Sequence, residues 1–582
     1  MKSLVTTALV MLMVTLFAAS NRTFAASDTL NVYASDSRSL EIIIGSDTTT
    51  GGLQAHKAYK LVSLDTTYIY FGAITIKSNF TLIGALGLNN RPPCVQPAIL
   101  QDGSMPANLF TLNATGINVL YKNLYFLGTS SSNTNDVADF PDAIRVPADS
   151  IRLTLDNVVF EAWYGDAVTY SGNWDKFYIT NCKFRNLAQP SWYSGEVLRN
   201  GWPGTAYTDT VEMKYNTVFC VNAYAACTVT KSLVNYFDFS HNSVVWMFKN
   251  PLWLFNLTNA KVDDNIFYGV FAGNSDSSEY LGQWDEPFSF ETPCTIDLDT
   301  LTKSTASDFG VDTSKSNWRT LAEAKRTIEV KNNVYFTPAA LSSYLTAWND
   351  TATVDKIVLS PWMNNRTTKM FADKTTWPGL VESGNQNVDP GYGSSILDVL
   401  YSGKGDGMGL LDYIKAIRTN VTTTDWWGYQ LTQVGSSENW VPTWPLPESA
   451  DMQYSNSALK TAGTDGKAIG DPGWFTNGFT GVTKTTVTVP GTFSLSNAYP
   501  NPFNPTTNIK FAVAKSENIT LVVFNLLGQK VKTLVNGMMK VGDYTATWDG
   551  KDEFGKSVAS GIYFYRFESQ SFTSTKKMIL MK

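Results

Sequence analysis

The chain has 582 residues, with 51 acidic against 45 basic side chains, a formal charge of −6 and two histidines. That length holds a large domain beside a small one. No basic run could track a phosphate backbone, so nucleic acid is excluded as a partner. The five cysteines, Cys94, Cys182, Cys220, Cys227 and Cys294, are too few to staple a chain this long and lack metal-ligand spacing. One or two disulfides in an oxidising compartment would leave a thiol over.

At the front, Lys2 precedes an apolar stretch from Leu4 to Ala19, and Thr23-Phe24-Ala25 supplies small residues for a signal peptidase. Residues 1–25 read as a signal peptide cleaved after Ala25. The stretch is short for a bilayer span and no later segment offers another, so no transmembrane segment is expected after cleavage.

A hexapeptide then recurs: Tyr121-Lys122-Asn123-Leu124-Tyr125-Phe126, Leu155-Asp156-Asn157-Val158-Val159-Phe160, Ile179-Thr180-Asn181-Cys182-Lys183-Phe184, Lys214-Tyr215-Asn216-Thr217-Val218-Phe219, Ser240-His241-Asn242-Ser243-Val244-Val245, Asp263-Asp264-Asn265-Ile266-Phe267-Tyr268 and Lys331-Asn332-Asn333-Val334-Tyr335-Phe336. Asparagine is third and a bulky apolar residue sixth. Asn157, Asn181, Asn216, Asn242 and Asn265 are separated by 24, 35, 26 and 23 residues, the period of a solenoid with one insertion. The intervening segments, such as Lys176–Thr180, Val211–Tyr215 and Tyr236–Ser240, are short, alternating and rich in β-branched or aromatic residues, which makes them strands. Asn123, Asn157, Asn181, Asn216, Asn242, Asn265 and Asn333 then form one structural ladder, each amide donating to and accepting from its neighbours at a buried bend. The following apolar residues stack into a core continuous along the axis.

With these blocks, and with Ile74-Thr75-Ile76-Lys77-Ser78-Asn79-Phe80-Thr81-Leu82-Ile83-Gly84-Ala85 as an opening strand pair, the region from about Leu30 to Pro338 resembles right-handed parallel β-helices of the pectin-lyase-like group. The resemblance implies a cap over the first coil from Ala26 to Ala73. Residues 339–480 are read as an irregular closing region packing over the last coil, with a helix from Ser395 to Thr419 interrupted by glycines. The β-helix domain is thus expected over 26–480 and a linker over 481–492.

The last segment, 493–582, opens on a proline-punctuated run that cannot be a central strand. Alternating runs follow at Thr507–Val513, Ile519–Asn525, Lys530–Val535, Tyr544–Trp548, Gly561–Phe567 and Phe572–Leu580, divided by turn signals such as Asp549-Gly550. So many short strands indicate an antiparallel sandwich. The blocks Tyr499-Pro500-Asn501-Pro502-Phe503-Asn504-Pro505, Val523-Phe524-Asn525-Leu526-Leu527-Gly528-Gln529-Lys530-Val531, Thr547-Trp548-Asp549-Gly550, Ala559-Ser560-Gly561-Ile562-Tyr563-Phe564-Tyr565 and Lys576-Lys577-Met578-Ile579-Leu580-Met581-Lys582 resemble the type A C-terminal sorting domain of type IX secretion system cargo, which has an immunoglobulin-like fold. The resemblance implies recognition by that machinery, export across the outer membrane of a Bacteroidota-like bacterium, removal of the tail, and release or attachment at the surface.

The expected fold class is therefore all-β, a right-handed parallel β-helix followed by a small immunoglobulin-like sandwich. Fold alone leaves enzyme and binder open. A hydrolase needs carboxylates converging on a groove. The pair Asp263-Asp264 reads as a solvated coil corner, and the Asn-Thr-Asp, Gly-His-Gly and Arg-Ile-Lys runs of pectin hydrolases are missing. A lyase needs a cation such as Ca²⁺ and a base. Asp166, Asp175 and Glu196 are the candidates for Ca²⁺, and Lys176, Arg185 and Arg199 for the base. No other cofactor or metal is indicated. His241 stands at a variable position and reads as surface. Trp163, Tyr164, Trp174, Trp192, Tyr193, Trp202 and Tyr207 crowd into two coils and an insertion from Ala188 to Asp209, beside Glu161, Asp166, Glu196 and Asp209. Flat rings beside carboxylates suit a sugar. The sequence thus favours a surface-delivered β-helix that binds an extracellular polysaccharide or serves structurally, with a polysaccharide lyase or glycoside hydrolase as the alternative.

Overall fold

The computed structural model describes residues 29–581 apart from 50, 65, 88–89, 99–105, 129–141, 188–194, 201–206, 229–232, 255, 271, 273–293, 352–361, 402–408, 419–431, 435–438, 442–443, 445, 447–448, 450, 476–481, 487–491, 516, 540–541 and 553–555. The signal segment, Trp192, Tyr193 and Trp202 lie outside the described residues.

The body is mostly β, and its strands pair in parallel along three runs. One run holds Asp175–Thr180, Thr208–Lys214, Val234–Ser240 and Leu257–Asp263; a second holds Lys183–Leu187, Thr217–Val221, Ser243–Met247 and Ile266–Tyr268. The ten-residue strands Asn118–Leu127 and Arg152–Glu161 belong to both, so these runs form one 19-stranded sheet. The third run is an eight-stranded sheet that includes Asn108–Leu112, Asp142–Val146, Asp166–Tyr170, Leu198–Asn200, Ala226–Thr228 and Leu252–Leu254.

Alternation in Arg152–Glu161 explains the packing, because Leu153 and Leu155 are buried while Arg152 and Thr154 are not. In register with Leu153 stand Val119, Phe177, Val211, Phe237, Ala260, Ile328 and Leu380, all buried. Each such side chain contributes about 2 kcal/mol only when a neighbouring strand covers it. The core is therefore shared along the axis.

The bend between the first two runs carries left-handed residues in one register column: Asn123, Asn157, Asn181, Tyr215, His241, Asp264 and Asn332, with φ from 54° to 59°. Asparagine tolerates that conformation better than most residues. One position later runs a second column, Leu124, Val158, Cys182, Asn216, Asn242, Asn265 and Asn333. The expected single ladder is thus two columns offset by one residue. In the later column Asn216, Asn242 and Asn265 donate to the amide oxygen of the next asparagine at 2.9, 3.0 and 2.9 Å, and Asn333 donates to Asn385 at 2.9 Å. Each also donates to a backbone carbonyl, of Ile179, Met213, Phe239 and Val262. In the earlier column Asn157 donates to Asn123 at 2.9 Å, but Asn181 is exposed and turns to Asp156 at 3.0 Å. The switch falls where Cys182, whose N–H donates to Asn216, replaces an asparagine.

The closing region serves two places: Trp362, Met370, Phe371 and Trp377 pack against the main core, Trp362 stacking on Tyr335 at 4.6 Å, and the later part covers a flank. Strands of the second run such as Ser243–Met247 are buried at every position, and a run apolar on both faces requires a second cover. Ile396, Leu400, Tyr413, Tyr454, Ile469 and Trp474 provide it, packing with Val245, Trp246 and Tyr268. The segment 463–475 is laid along the bend itself. Asp264 accepts from the backbone and hydroxyl of Thr464 at 3.0 and 2.5 Å, and Asp471 accepts from Thr217 at 2.8 Å. Gly470, at φ 80°, is required there because a Cβ would stand 2.6 Å from the Ser243 hydroxyl. This cover buries Asp264 and His241, and Asp263 is buried where it accepts from the Lys331 N–H at 3.1 Å, which corrects the reading of all three as solvated. His241 Nδ1 lies 3.1 Å from the Ala468 carbonyl oxygen, and Nε2 lies 3.4 and 3.3 Å from Asp264 and Asp465.

The C-terminal unit has two four-stranded antiparallel sheets enclosing Ile509, Phe511, Leu521, Val523, Trp548, Tyr565 and Phe567. Val482–Thr486, expected as linker, pairs with Gly542–Trp548.

Replacing Asn242 by alanine strands the amide groups of its neighbours in the column and should lower unfolding free energy by about 1–3 kcal/mol. Asn181→Gly, outside the amide column and at a left-handed position that glycine adopts freely, should change it by less than about 0.5 kcal/mol. Denaturant unfolding of both variants checks this, and equal losses would contradict the offset register.

Candidate functional site

The three runs differ in what their outer faces leave available. The second is covered. The first carries charges that neutralise one another, with Lys122–Asp156 at 2.6 Å, Lys214–Asp238 at 2.8 Å, Lys331–Glu329 at 2.9 Å and Arg152 stacked 4.0 Å over Tyr178. The eight-stranded sheet remains.

Its strands begin with a polar column. Asn108, Asp142, Asp166 and Glu196 stand side by side at neighbouring strands of the sheet, followed by Tyr224. Three residues on lie Thr111, Arg145, Thr169 and Arg199, then Trp253 two coils later. Arg145 pairs with Asp142 at 2.8 Å. Asp166 accepts from the Glu196 backbone at 2.9 Å, Thr169 at 3.0 Å and Arg199 at 3.4 Å, and Arg199 lies 3.9 Å from Glu196. Tyr224 packs against Trp253 with ring centroids 5.1 Å apart, and the Lys249 ammonium lies 5.5 Å from the Tyr224 ring.

Asp166 is 2% exposed and Glu196 3%, and Glu196 Oε2 has no hydrogen-bond partner among the described residues. Burial, then the charge of Asp142, push Asp166 up to about 6 against the pull of Arg199. Burial, then the charge of Asp166, hold Glu196 well above the usual carboxylate range, opposed by Arg199 and Lys249. Both carboxyls are thus held above the usual carboxylate range, and two buried acids this close resist ionising together. A paired proton donor and carboxylate can perform general acid and base chemistry.

Of the residues singled out from sequence, the structure brings together Asp166, Glu196 and Arg199. Lys176 lies elsewhere and pairs with Asp209 at 2.9 Å. Arg185 is fully buried with Glu161 at 2.8 Å, to which Asn186 also donates at 3.0 Å, so both charges are internal struts rather than surface groups. Asp175 is buried away from the cluster, accepting from the Ile151 N–H at 2.8 Å, so it shares no cation site with Asp166 and Glu196. Trp163, expected on a binding surface, is core, with its indole N–H on the Phe126 carbonyl at 3.1 Å. Tyr164 is half-buried against the main core. Trp174 is exposed and stacked on Tyr207. Cys94, Cys182 and Cys294 are buried as free thiols, and Cys220 is buried too.

Asp142, Arg145, Tyr224 and Lys249 escaped notice, though the signal was present. Asn108-Leu109-Phe110-Thr111, Asp142-Ala143-Ile144-Arg145, Asp166-Ala167-Val168-Thr169 and Glu196-Val197-Leu198-Arg199 repeat a polar residue, two apolar ones and a polar partner. Asn108 bonds Thr111 at 2.8 Å as Asp142 bonds Arg145.

Asp175 supplies a pH test. Burial, opposed by the Ile151 bond and helped by Asp149, pushes it up to about 7, and one oxygen has no partner. A raised folded-state value means the stability it allows is full below about pH 4 and lost as pH rises through about 7. Asp175→Asn keeps the acceptor and removes the charge, so the Tm of the variant minus that of the parent should increase from pH 5 to pH 8. A constant difference would contradict the assignment.

Residues 497–581 match the family described as the secretion system C-terminal sorting domain. No curated protein matches the chain. Among solved structures the chain is similar to dimeric latent PorU from Porphyromonas gingivalis, at 20% identity over 15% of this chain and 9% of that one, with a TM-score of 0.13. It is similar also to PorZ, described as an essential surface component of the type-IX secretion system of the same organism, at 16% identity over 16% of this chain and 11% of that one, with a TM-score of 0.12. The chain thus spans about a tenth of the length of these structures. Among the described residues no helix is long and apolar enough to cross a membrane. The sorting domain marks the protein as type IX secretion cargo, delivered by way of the periplasm to the outer cell surface or the extracellular space.

Proposed function

We propose that the body ahead of the sorting tail is a right-handed parallel β-helix of the pectin-lyase-like kind, that the tail is immunoglobulin-like, and that the body hydrolyses an extracellular polysaccharide at Asp166 and Glu196. Support for the fold comes from the fixed order in which successive segments visit the three parallel runs, as Arg152–Glu161, Asp166–Tyr170 and Asp175–Thr180 do. The observation that carries the activity is the pair of acids, Asp166 and Glu196, buried side by side on neighbouring strands with Arg199 beside both, each held above the usual carboxylate range.

In this reading Glu196 donates its proton to the glycosidic oxygen while the Asp166 carboxylate faces the sugar carbon. Neighbouring strands lie about 4.8 Å apart, close to the roughly 5–5.5 Å between carboxyls in retaining glycosidases. Arg199, next to both acids, favours the ionised form of Asp166, and the partly exposed Trp253, packed on the buried Tyr224, offers an apolar face near the acids. The chemistry needs no metal. A second reading, glycan binding without cleavage, draws support from the exposed Trp174 stacked on Tyr207.

Purified protein incubated with neutral and uronate-containing polysaccharides should release reducing ends without the ultraviolet absorbance of unsaturated uronates. Glu196→Gln and Asp166→Asn should each lower kcat by roughly 10²–10⁴-fold. The rate should fall below about pH 6 as Asp166 takes up a proton. Absorbance at full strength in both variants, or no cleavage of any polymer, would overturn the hydrolytic assignment.

A further inference from the structure

We infer that Trp174 and Tyr207 form a second, non-catalytic carbohydrate contact, in which the open face of the Trp174 indole stacks on the ring of a neutral hexopyranose. Ser150, Trp174 and Tyr207 occupy the same bend position in three successive coils, since Arg152 pairs with Lys176 and Asp175 with Thr208. The two rings stack with centroids 5.4 Å apart and planes 15° from parallel. Tyr207 is fixed from beneath. Its N–H donates to the Asn173 side chain at 3.2 Å, and its hydroxyl bonds Asp308, which pushes the phenol up to about 12.

On the other side of Trp174 the column offers only Ser150, too small to continue the stack. Trp174 is accordingly 52% exposed. It is also held at φ 64°, a left-handed conformation unfavourable for a bulky residue. Tyr215 and Trp246 share that conformation, but Tyr215 stacks on His241 and Trp246 is buried, so packing accounts for them. No equivalent packing covers the outer face of Trp174 among the described residues, and strain kept at an exposed aromatic points to a ligand.

The surroundings define the ligand. Lys176 and Asp209 pair at 2.9 Å while both remain substantially exposed, and Asp149 accepts from Asn173 at 2.7 and 3.1 Å. A flat apolar face whose neighbouring cation, Lys176, is already paired and whose other edge groups, Asp149 and Asp308, are acceptors matches the C–H face and hydroxyl edge of an uncharged sugar and would repel a uronate. Delivery to the cell surface or beyond places it among such polymers. The platform stands past the Tyr170 end of the strand that begins at Asp166, about 13 Å or more from the acid pair, so it holds substrate away from the bond that is cut.

Affinity electrophoresis of the full-length chain through gels containing galactomannan, hydroxyethylcellulose or pectate tests this. Wild type and Glu196→Gln should be retarded alike by a neutral polymer. Trp174→Asn, which suits the left-handed position, should keep or raise Tm yet weaken retardation at least tenfold, with reducing-end release from short oligosaccharides unchanged. Tyr207→Phe, which keeps the stack, should stay retarded. Undiminished retardation of Trp174→Asn, retardation by pectate alone, or none for wild type would overturn the inference. Loss of oligosaccharide cleavage in Glu196→Gln with retardation intact separates this contact from the acid pair.

Discussion

A strand that pairs only with strands far from it in sequence cannot bury its own side chains or satisfy its own bends. Everything in the body depends on registering each strand on its parallel neighbours, and the column from Asn216 to Asn385 enforces that registration. An amide that donates up the axis and back to a backbone carbonyl tolerates no slip, because displacement by one residue would bury several unpaired polar groups. The apolar columns beside it contribute more energy but less specificity, since a leucine packs against several neighbours.

From that registration the division of labour between faces follows. Fixed stacking lets the first run cancel its charges pair by pair, and lets the second present a continuous apolar surface on which the closing region settles. It also brings Asp142, Asp166 and Glu196 side by side although the insertions between coils differ in length. Burial and mutual repulsion raise Asp166 to about 6 and hold Glu196 well above the usual carboxylate range, with Arg199 supplying the nearest compensating charge.

Much of this was legible in the sequence for a physical reason. Alternation in Arg152–Glu161 and the recurrence of asparagine follow from constraints local to one coil, and the tail strands from Thr507 to Leu580 are bounded by turn residues that act over a few positions. Asn181 misled because an asparagine at a left-handed bend and one in the amide column look identical in a hexapeptide. His241, Asp263 and Asp264 read as solvated because the cover comes from residues some 200 positions away. Arg185 and Glu161 are a complementary case, as pairing inside the protein leaves no mark on spacing. Of the candidate site, Asp166, Glu196 and Arg199 were visible as residue types, whereas the acid column emerged only once strands from separate coils were set in register.

The most direct measurement is a carboxyl ¹³C NMR titration of Asp- and Glu-labelled protein, with Asp166→Asn and Glu196→Gln assigning the two resonances. Glu196 should titrate well above the usual carboxylate range and Asp166 near 6. Both carboxyls fully ionised at pH 5 would contradict a shared proton at this site, and with it the hydrolytic role proposed for the pair.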